Sequence, residues 1–282
     1  MSHHTPSYEQ QAATAFTRQS PIFDDIYAGN TIVHYKRQRV RRHVQALLAP
    51  GSHILELNAG TGEDAIYFAQ QGYRVHATDI SEGMQAILQK KAAQAGLQTS
   101  ITNELCSYTD LEHIQHKGPY DAVFSNFAGL NCTSELNKVI QSLAPLLKPG
   151  GYATLVILPR FCLWESLLVF KGKFKTAFRR FCSSRGRRAH IEGVYFSCWY
   201  YNPSYVARAA APFFDIMATE GLCTLVPPSY IEGFAEKHPR IYAWLLKKEE
   251  RLRYTWPWRS IGDYYIITLT PRPPKGGVTP NP

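Results

Sequence analysis

A short apolar run, a Gly-x-Gly turn and a helical pattern follow one another directly between His53 and Ala65. The apolar run at 54–57 has the length of a buried strand. Gly60 and Gly62 let the backbone turn sharply and let a ligand approach main-chain atoms that a side chain would cover. A strand that enters a helix through such a turn predicts a parallel α/β sheet that binds a ligand at the strand's carboxyl end.

Strand and helix patterns alternate on both sides of this turn, which is typical of a Rossmann-like, mostly parallel sheet with helices on both faces. We therefore predict an α/β fold. The predicted strands are 54–57, 73–78, 121–126, 152–158, 213–219, 263–270 and, more weakly, 99–105; the predicted helices between them are 63–70, 83–95 and 135–147.

Composition excludes several classes of protein. No run of about 18 apolar residues predicts a membrane-spanning helix, and the N-terminus lacks the apolar core of a signal peptide. The six cysteines contain no C-x-x-C pair, so we expect reduced thiols in a cytoplasmic protein and neither zinc nor disulfides. No metal ion is expected, and His113 and His116 are interpreted as solvated surface residues.

Two cofactors fit the Gly-x-Gly turn itself. The spacing from Gly60 to Ala65 satisfies the dinucleotide fingerprint, and Asp79 follows at a distance compatible with a ribose contact. Glu56 favours S-adenosylmethionine over a dinucleotide. A strand inside a parallel sheet is normally apolar throughout, so a carboxylate there needs a compensating partner. A carboxylate at its carboxyl end would repel a pyrophosphate, whereas it would attract the ammonium and sulfonium groups of S-adenosylmethionine.

Four segments in the correct order resemble the motifs of the class I S-adenosylmethionine-dependent methyltransferases of the small-molecule type. They are 56–62 (ELNAGTG), 79–81 (DIS), 121–127 (DAVFSNF) and 146–151 (LLKPGG). The resemblance covers residues 23–158 and, more faintly, the last two strands to about residue 270. It implies a seven-stranded sheet with an antiparallel last strand. It also implies S-adenosyl-L-methionine as cofactor and S-adenosyl-L-homocysteine as product.

The resemblance also implies which residues hold the cofactor. Gly60 and Gly62 would line its methionine and adenosine path, and Asp79 would accept both ribose hydroxyls. Ile80 and Gly83 would border the adenine. The full set expected at the cofactor is Tyr27, Arg37, Glu56, Asn58, Gly60, Gly62, Asp79, Ile80, Gly83, Cys106, Ser107, Asn126 and Phe127.

Cys106 and Ser107 depart from the family's pattern, which often has an acidic residue there to hold the adenine amino group. A backbone contact or Ser107 would replace it, unless Asp110 lies closer than the alignment indicates. Methyl transfer from a sulfonium is an in-line displacement that needs alignment and exclusion of water, so no catalytic dyad is required. The candidates for a base are Tyr27, His34, His190 and Tyr200.

An insertion follows the strand at 152–158 and carries much of the formal charge of +9. Between Lys171 and Arg188 there are Lys and Arg residues but no Asp or Glu. Apolar residues at three- and four-residue steps predict a long helix with one apolar face. That face is interpreted as a lid over the site, or as a contact with an anionic membrane through 167–188. Nucleic acid is the least favoured partner, since no known binding module accompanies the charge.

The predicted domain layout has one main domain interrupted by the insertion. It consists of a flexible N-terminus at 1–22, a methyltransferase domain at 23–159 and 203–270, an inserted helical and aromatic cap or lid at 160–202, and a disordered tail at 271–282.

The leading hypothesis for function is methyl transfer to a small-molecule acceptor that is lipid-like or aromatic. Two alternatives stay open at this point: an NAD(P)-dependent oxidoreductase, and a non-catalytic methyltransferase-like protein that associates with membranes.

Overall fold

The computed structural model describes residues 7–181 and 185–273. Its strands are β1 (His53–Leu57), β2 (Arg74–Asp79), β3 (Ile101–Leu105), β4 (Tyr120–Ser125), β5 (Leu147–Ile157), β6 (Arg187–Ile191), β7 (Val194–Cys198), β8 (Phe214–Leu222) and β9 (Tyr264–Pro271). Its helices are α1 (Tyr8–Gln19), α2 (Phe23–Ala28), α3 (Thr31–Gln45), α4 (Glu63–Gln70), α5 (Glu82–Gln94), α6 (Leu136–Leu143), α7 (Leu163–Leu167), α8 (Phe174–Ala177), α9 (Pro203–Ala210), α10 (Phe234–Lys237) and α11 (Pro239–Leu252).

One seven-stranded sheet has the strand order β3-β2-β1-β4-β5-β9-β8. The first five of these strands pair in parallel, whereas β9 runs antiparallel between β5 and β8. This confirms the predicted Rossmann-like α/β fold. Strand β1 has β2 on one side and β4 on the other, so the strand order reverses there. The crevice at such a reversal is where open α/β sheets bind their ligands.

The central strands are buried because helices cover both faces of the sheet. Ile54 packs with Phe68 of α4 and Phe124 of β4, whereas Leu55 packs in a separate cluster with Ile140 of α6. Successive strand residues point to opposite faces, and all five side chains are fully buried. Each contributes roughly 1.5–3 kcal/mol through burial, so the sheet is a rigid base for the loops beyond its strands.

The prediction of a flexible N-terminus over 1–22 is wrong from Ser7 onward. Ser7 and Gln10 cap the first turn of α1 reciprocally, which satisfies two backbone N–H groups. Ala15 is fully buried, and the helix contacts β7 and α5. A Cβ atom at Gly83 of α5 would lie 2.7 Å from Ser20 Oγ, so that glycine permits the close approach. Residues 1–6 lie outside the described residues.

The insertion forms short elements where the apolar spacing predicts one long helix. A 3₁₀ turn at Leu168–Lys171 joins α7 to Gly172, whose φ of 69° ends the helical run before α8. Strands β6 and β7 form a hairpin, and its turn residues Glu192 and Gly193 both have positive φ angles, as tight hairpin turns require. Residues 182–184 of the basic stretch are outside the described ranges.

Arg180 anchors the insertion to the main domain. Its side chain is 2% exposed, and Nη2 lies 2.6 Å from Glu165 Oε1 and 2.7 Å from Asp263 Oδ1. Cys162 joins these two carboxylates in a buried group with metal-ligand chemistry. The guanidinium already supplies a positive charge to both carboxylates, so the group is a structural ion-pair network that ties α7 to the start of β9.

The disordered tail predicted at 271–282 begins too early. Pro271 closes β9 and pairs with Phe214, and the Arg272 N–H donates to the Phe213 carbonyl at 2.9 Å. The rest of that prediction, 274–282, lies outside the described residues. Within the ranges that the structure describes, no helix has the length and apolarity needed to cross a membrane.

Candidate functional site

A cavity of about 330 Å³ opens where β1, β2 and β4 end. Its floor is the three loops that follow these strands, and its walls come from α1, α3 and Ile191 of the β6–β7 hairpin. This volume lies in the range of small-molecule sites. The predicted cofactor residues that line it are Tyr27, Arg37, Glu56, Asn58, Gly60, Asp79, Ile80, Asn126 and Phe127.

The two glycines of the turn have different roles. Both have positive φ angles, 58° at Gly60 and 79° at Gly62, which only glycine adopts at little cost. Gly60 lines the cavity, and a Cβ atom there would meet no atom within 4 Å. A Cβ atom at Gly62 would lie 2.6 Å from Leu88 Cγ, so Gly62 allows α4 to pack against α5 and does not itself line the cavity.

Asp79 ends β2 with its carboxylate held by backbone donors. The Gly60 N–H donates to Oδ2 at 2.9 Å, and the Ser81 N–H donates to Oδ1 at 2.8 Å. Burial raises the pKa of Asp79 above its ordinary value, although these backbone hydrogen bonds oppose the rise. The carboxylate is therefore fixed in position at the cavity and keeps lone pairs free for a diol.

Glu56 is a buried carboxyl group on β1 with an unsatisfied oxygen. It lines the cavity, its side chain is almost fully buried, and Oε2 has no hydrogen-bond partner among the described residues. Burial raises the pKa of Glu56 well above its ordinary value, and the neighbouring Asp64 raises it further, whereas Arg37 opposes the rise. A buried carboxylate of this kind requires a cation or a donor to offset its desolvation.

Asp64, in the first turn of α4, joins α3 to the loop after β4. Arg41 Nε donates to its Oδ1 at 2.6 Å, Arg37 Nη1 lies 3.4 Å from its Oδ2, and Asn126 Nδ2 donates to that same Oδ2 at 2.8 Å. The two guanidinium groups lower the pKa of Asp64 against the opposing effect of burial. Glu56, by contrast, keeps one oxygen without a hydrogen-bond partner among the described residues.

The ends of β1 and β4 are connected through polar side chains in strained backbone. Ser125 Oγ donates to Asn58 Oδ1 at 2.6 Å, and Asn58 Nδ2 donates to the Asn126 carbonyl at 3.0 Å. Asn58, Phe127 and Ala128 have φ angles of 47°, 48° and 61°. Positive φ angles at non-glycine residues cost free energy and concentrate at functional sites. The position of these two loops at the cavity agrees with this tendency.

Several cavity residues were not predicted from the sequence. They come mainly from α1, which lies in the range that was predicted to be a flexible N-terminus, and from segments distant in the chain. The signal for α1 was present, since a Ser-x-x-Gln capping pattern precedes small and aromatic residues at helical spacing. The additional residues that line the cavity include Glu9, Ala12, Ala13, Phe16, Lys36, Asp64, Tyr108, Cys132, Ile191, Ser229 and Tyr264.

The structure does not bring four predicted residues to the cavity lining. Gly62 and Gly83 serve packing, as described above. Ser107 Oγ donates to the carboxylate of Glu9, and Cys106 Sγ faces backbone carbonyls. The chain turns away after β3, so Tyr108 is the residue of this loop that lines the cavity.

Of the predicted base candidates, Tyr27 alone lines this cavity. His34 Nε2 hydrogen-bonds the Ala28 carbonyl at 2.7 Å, and the Tyr200 ring lies beneath the Arg180 guanidinium. Burial raises the pKa of Tyr264, which also lines the cavity, well above its ordinary value, so its phenol stays protonated. A catalytic role for Tyr27 stays a prediction.

The lid prediction is wrong in one respect. The predicted apolar face does not cover the cavity, because its members are exposed to solvent and none of them lines the cavity. The described contribution of the insertion to the lining is Ile191. These apolar residues are Leu167, Phe170, Phe174, Phe178 and Phe181.

Comparisons with known proteins agree with this geometry. Residues 54–151 match the family model described as a methyltransferase domain. The chain is 30% identical over 126 residues to the ubiquinone/menaquinone biosynthesis C-methyltransferase UbiE of Ralstonia pickettii, covering 44% of this chain and 49% of that protein. It is 32% identical over 142 residues to the tuberculostearic acid methyltransferase UfaA1 of Mycobacterium tuberculosis, covering 48% and 32%. The match thus spans about half or less of these relatives' length.

The fold also has close counterparts among solved structures. The CcbJ methyltransferase from Streptomyces caelestis superimposes with a TM-score of 0.63 at 17% identity, covering 93% of this chain and 99% of that one. The alternative of an NAD(P)-dependent oxidoreductase finds no support in these matches. Residues 54–151 thus form a methyltransferase domain, and the strand order and the solved counterpart show the fold of the class I S-adenosylmethionine-dependent methyltransferases.

Proposed function

We propose that this protein transfers a methyl group from S-adenosylmethionine to a small lipid-like or aromatic acceptor. The observation that carries the proposal is Glu56, whose buried carboxylate at the cavity has an oxygen without a partner among the described residues. When bound, S-adenosylmethionine supplies an electrophilic methyl group on a sulfonium. Glu56 would hold a positive charge of that molecule, which offsets the cost of burying the carboxylate.

Asp79, which also lines the cavity, supports the same cofactor. Two backbone N–H groups hold its carboxylate in place, so the side chain need not reorganise to accept hydrogen bonds from a vicinal diol. Gly60 leaves main-chain atoms open beside it. Together these residues fit a nucleoside with a cationic substituent better than a nucleoside with a pyrophosphate, which the Glu56 carboxylate would repel.

Lys36 indicates the chemistry of the acceptor. Its side chain is buried at the cavity, and Nζ lies 4.6 Å from the Tyr264 ring centroid and 5.8 Å from that of Phe127. Nζ also donates to Ser229 Oγ at 3.0 Å. An ammonium beside aromatic rings would stabilise a phenol-type acceptor in its ionised form and orient its ring. Two of the relatives, a ubiquinone/menaquinone biosynthesis C-methyltransferase and a tuberculostearic acid methyltransferase, also support an apolar acceptor.

The alternative of a non-catalytic, membrane-associated protein rests on the exposed apolar surface of the insertion.

The cytoplasmic location predicted from the cysteines stays part of the proposal, and fractionation of expressing cells would test it.

Isothermal titration calorimetry tests the cofactor assignment directly. S-adenosylhomocysteine should bind in the micromolar range and NAD should not, since a pyrophosphate would face the Glu56 carboxylate. The Asp79→Asn variant should bind more weakly, with Asp215→Asn on the exposed surface of β8 as its control. Binding of NAD in place of S-adenosylhomocysteine would overturn the proposal. Cofactor binding without methylation of any member of a panel of phenolic lipids would favour the non-catalytic alternative.

A further inference from the structure

The insertion presents a set of exposed apolar side chains, which we call the phenylalanine patch. Exposure is unusual for this residue type, and it reaches 86% at Phe170. The remaining members are between 42% and 57% exposed. The patch consists of Leu167, Phe170, Phe174, Phe178 and Phe181.

The segment that carries the patch is held firmly from its other side. Ala177 and Arg180 are buried, and Arg180 bonds to both Glu165 and Asp263. The phenylalanines are thus exposed on an anchored segment, because Ala177 and Arg180 point inward. Five large apolar side chains exposed together on one anchored segment mark an interaction site.

Positive charge surrounds the patch without compensation. Lys171, Lys173 and Lys175 are exposed, and none of them forms an ion pair with a carboxylate within the ranges that the structure describes. The sequence has no Asp or Glu between Glu165 and Glu192, and Glu165 itself is buried against Arg180. The partner of the patch is therefore expected to be apolar and anionic together.

We propose that the phenylalanine patch docks the protein on an anionic lipid bilayer. Phenylalanine and leucine side chains enter the headgroup boundary, while lysines beside them meet lipid phosphates, the combination that characterises interfacial segments. The patch contains few hydrogen-bonding groups apart from the lysines, which favours hydrocarbon over the polar edges of nucleic-acid bases.

Docking there would place the cavity near the bilayer. Asp263, which binds Arg180 beneath the patch, also pairs with Lys36 of the cavity wall at 3.7 Å. Tyr230, which lies near Asp263 and Arg180, is 45% exposed. Its neighbour in the chain, Ser229, lines the cavity. If the proposed function holds, an apolar acceptor would reach the cavity from the membrane, but the docking itself does not depend on that function.

Flotation with vesicles tests the docking without any acceptor. The full chain should float with vesicles of phosphatidylcholine and phosphatidylglycerol, and much less with pure phosphatidylcholine or at high salt. The triple variant Lys171→Gln, Lys173→Gln, Lys175→Gln should bind about 100-fold more weakly, at about 1 kcal/mol for each charge. Its control carries Lys117→Gln, Lys138→Gln and Lys247→Gln, exposed residues elsewhere that change the net charge equally.

The double variant Phe170→Ser, Phe174→Ser tests the apolar part and should lower vesicle binding at least about tenfold. Its control, Met217→Ser with Trp244→Ser, removes apolar side chains of similar exposure outside the insertion. Equal loss in both triple variants, or no flotation of the wild type, would overturn the proposal. So would binding of an RNA oligonucleotide in its place, or a dimer that the phenylalanine variant dissociates. Calorimetry with S-adenosylhomocysteine on the same samples keeps this outcome separate from failure of the proposed function.

Discussion

Glu56→Gln replaces one oxygen of the buried carboxyl group by an amide and removes the charge at nearly constant shape. Oε2 of Glu56 lacks a partner among the described residues, and a buried polar group left unpaired costs about 1–3 kcal/mol, more when it is charged. A neutral amide avoids the charged part of this cost. We therefore expect the ligand-free variant to be more stable than the wild type at pH 8 by roughly 1–2 kcal/mol, or about 2–4 °C in Tm.

The size of this stabilisation depends on pH. Burial raises the pKa of Glu56 in the folded protein, so the folded state holds the proton more tightly than the unfolded chain does. Wild-type stability therefore falls as pH rises from the ordinary carboxyl pKa through the raised value. Glutamine does not titrate, so the stabilisation should be largest above the raised pKa and should vanish near about pH 4.

The same variant should lose cofactor affinity. A hydrogen bond to a charged group is worth about 1.5–3 kcal/mol, so the Kd for S-adenosylhomocysteine should rise roughly 10- to 150-fold. Differential scanning fluorimetry with and without ligand measures both effects on one sample. Glu112→Gln, an exposed site outside the cavity, is the matched control and should change neither quantity. A lower Tm together with unchanged affinity would refute the reasoning, since it would make Glu56 a structural residue only.

Three further changes test other parts of the structure. Gly62→Ala should destabilise the fold by about 2–4 kcal/mol in urea denaturation, because its Cβ meets Leu88 at a positive φ. Gly60→Ala, with open space around it, should cost less stability but weaken S-adenosylhomocysteine binding, and equal stability losses would contradict this distinction. Arg180→Met removes the cation shared by Glu165 and Asp263 and leaves them only Arg179 and Lys36 among the described residues; it should cost about 3 kcal/mol, with cleavage of the insertion by trypsin appearing first, and unchanged proteolysis would refute the anchoring role. Affinity for S-adenosylhomocysteine should fall as pH drops from about 8 to about 5, since the pKa values of Glu56 and Asp79 are raised, and a flat calorimetric profile would contradict their role.

The part of the site that the sequence predicted lies at the ends of β1, β2 and β4. Glu56, Asp79 and Asn126 each follow or end a recognisable apolar run, and the carboxyl ends of parallel strands meet at one edge of the sheet. Chain order alone therefore brings these residues together. Their contacts, such as the Gly60 N–H to Asp79, then follow from the sheet register.

The wall formed by α1 was not predictable in the same way. Its contacts join residues far apart in the chain: Thr17 bonds to Ser81 across 64 positions, and Glu9 to Ser107 across 98. Helix α1 is weakly apolar, and alanines such as Ala15 bury little area, so periodicity carried a small signal. Gly83 shows the same difficulty. Its spacing fits the cofactor motif, but a glycine is needed there because a Cβ atom would lie too close to Ser20 Oγ.

The insertion shows why a correct pattern can be assigned to the wrong side of a segment. Phe170, Phe174 and Phe178 recur at helical steps, and the usual rule buries phenylalanine and exposes arginine. Here Arg180 pairs with two buried carboxylates, which compensate its charge. Its side of the segment therefore faces inward. The phenylalanines are left on the outside as a consequence. Since water is a poor solvent for such a surface, its exposure next to three uncompensated lysines is itself an argument that the surface meets another phase in the cell.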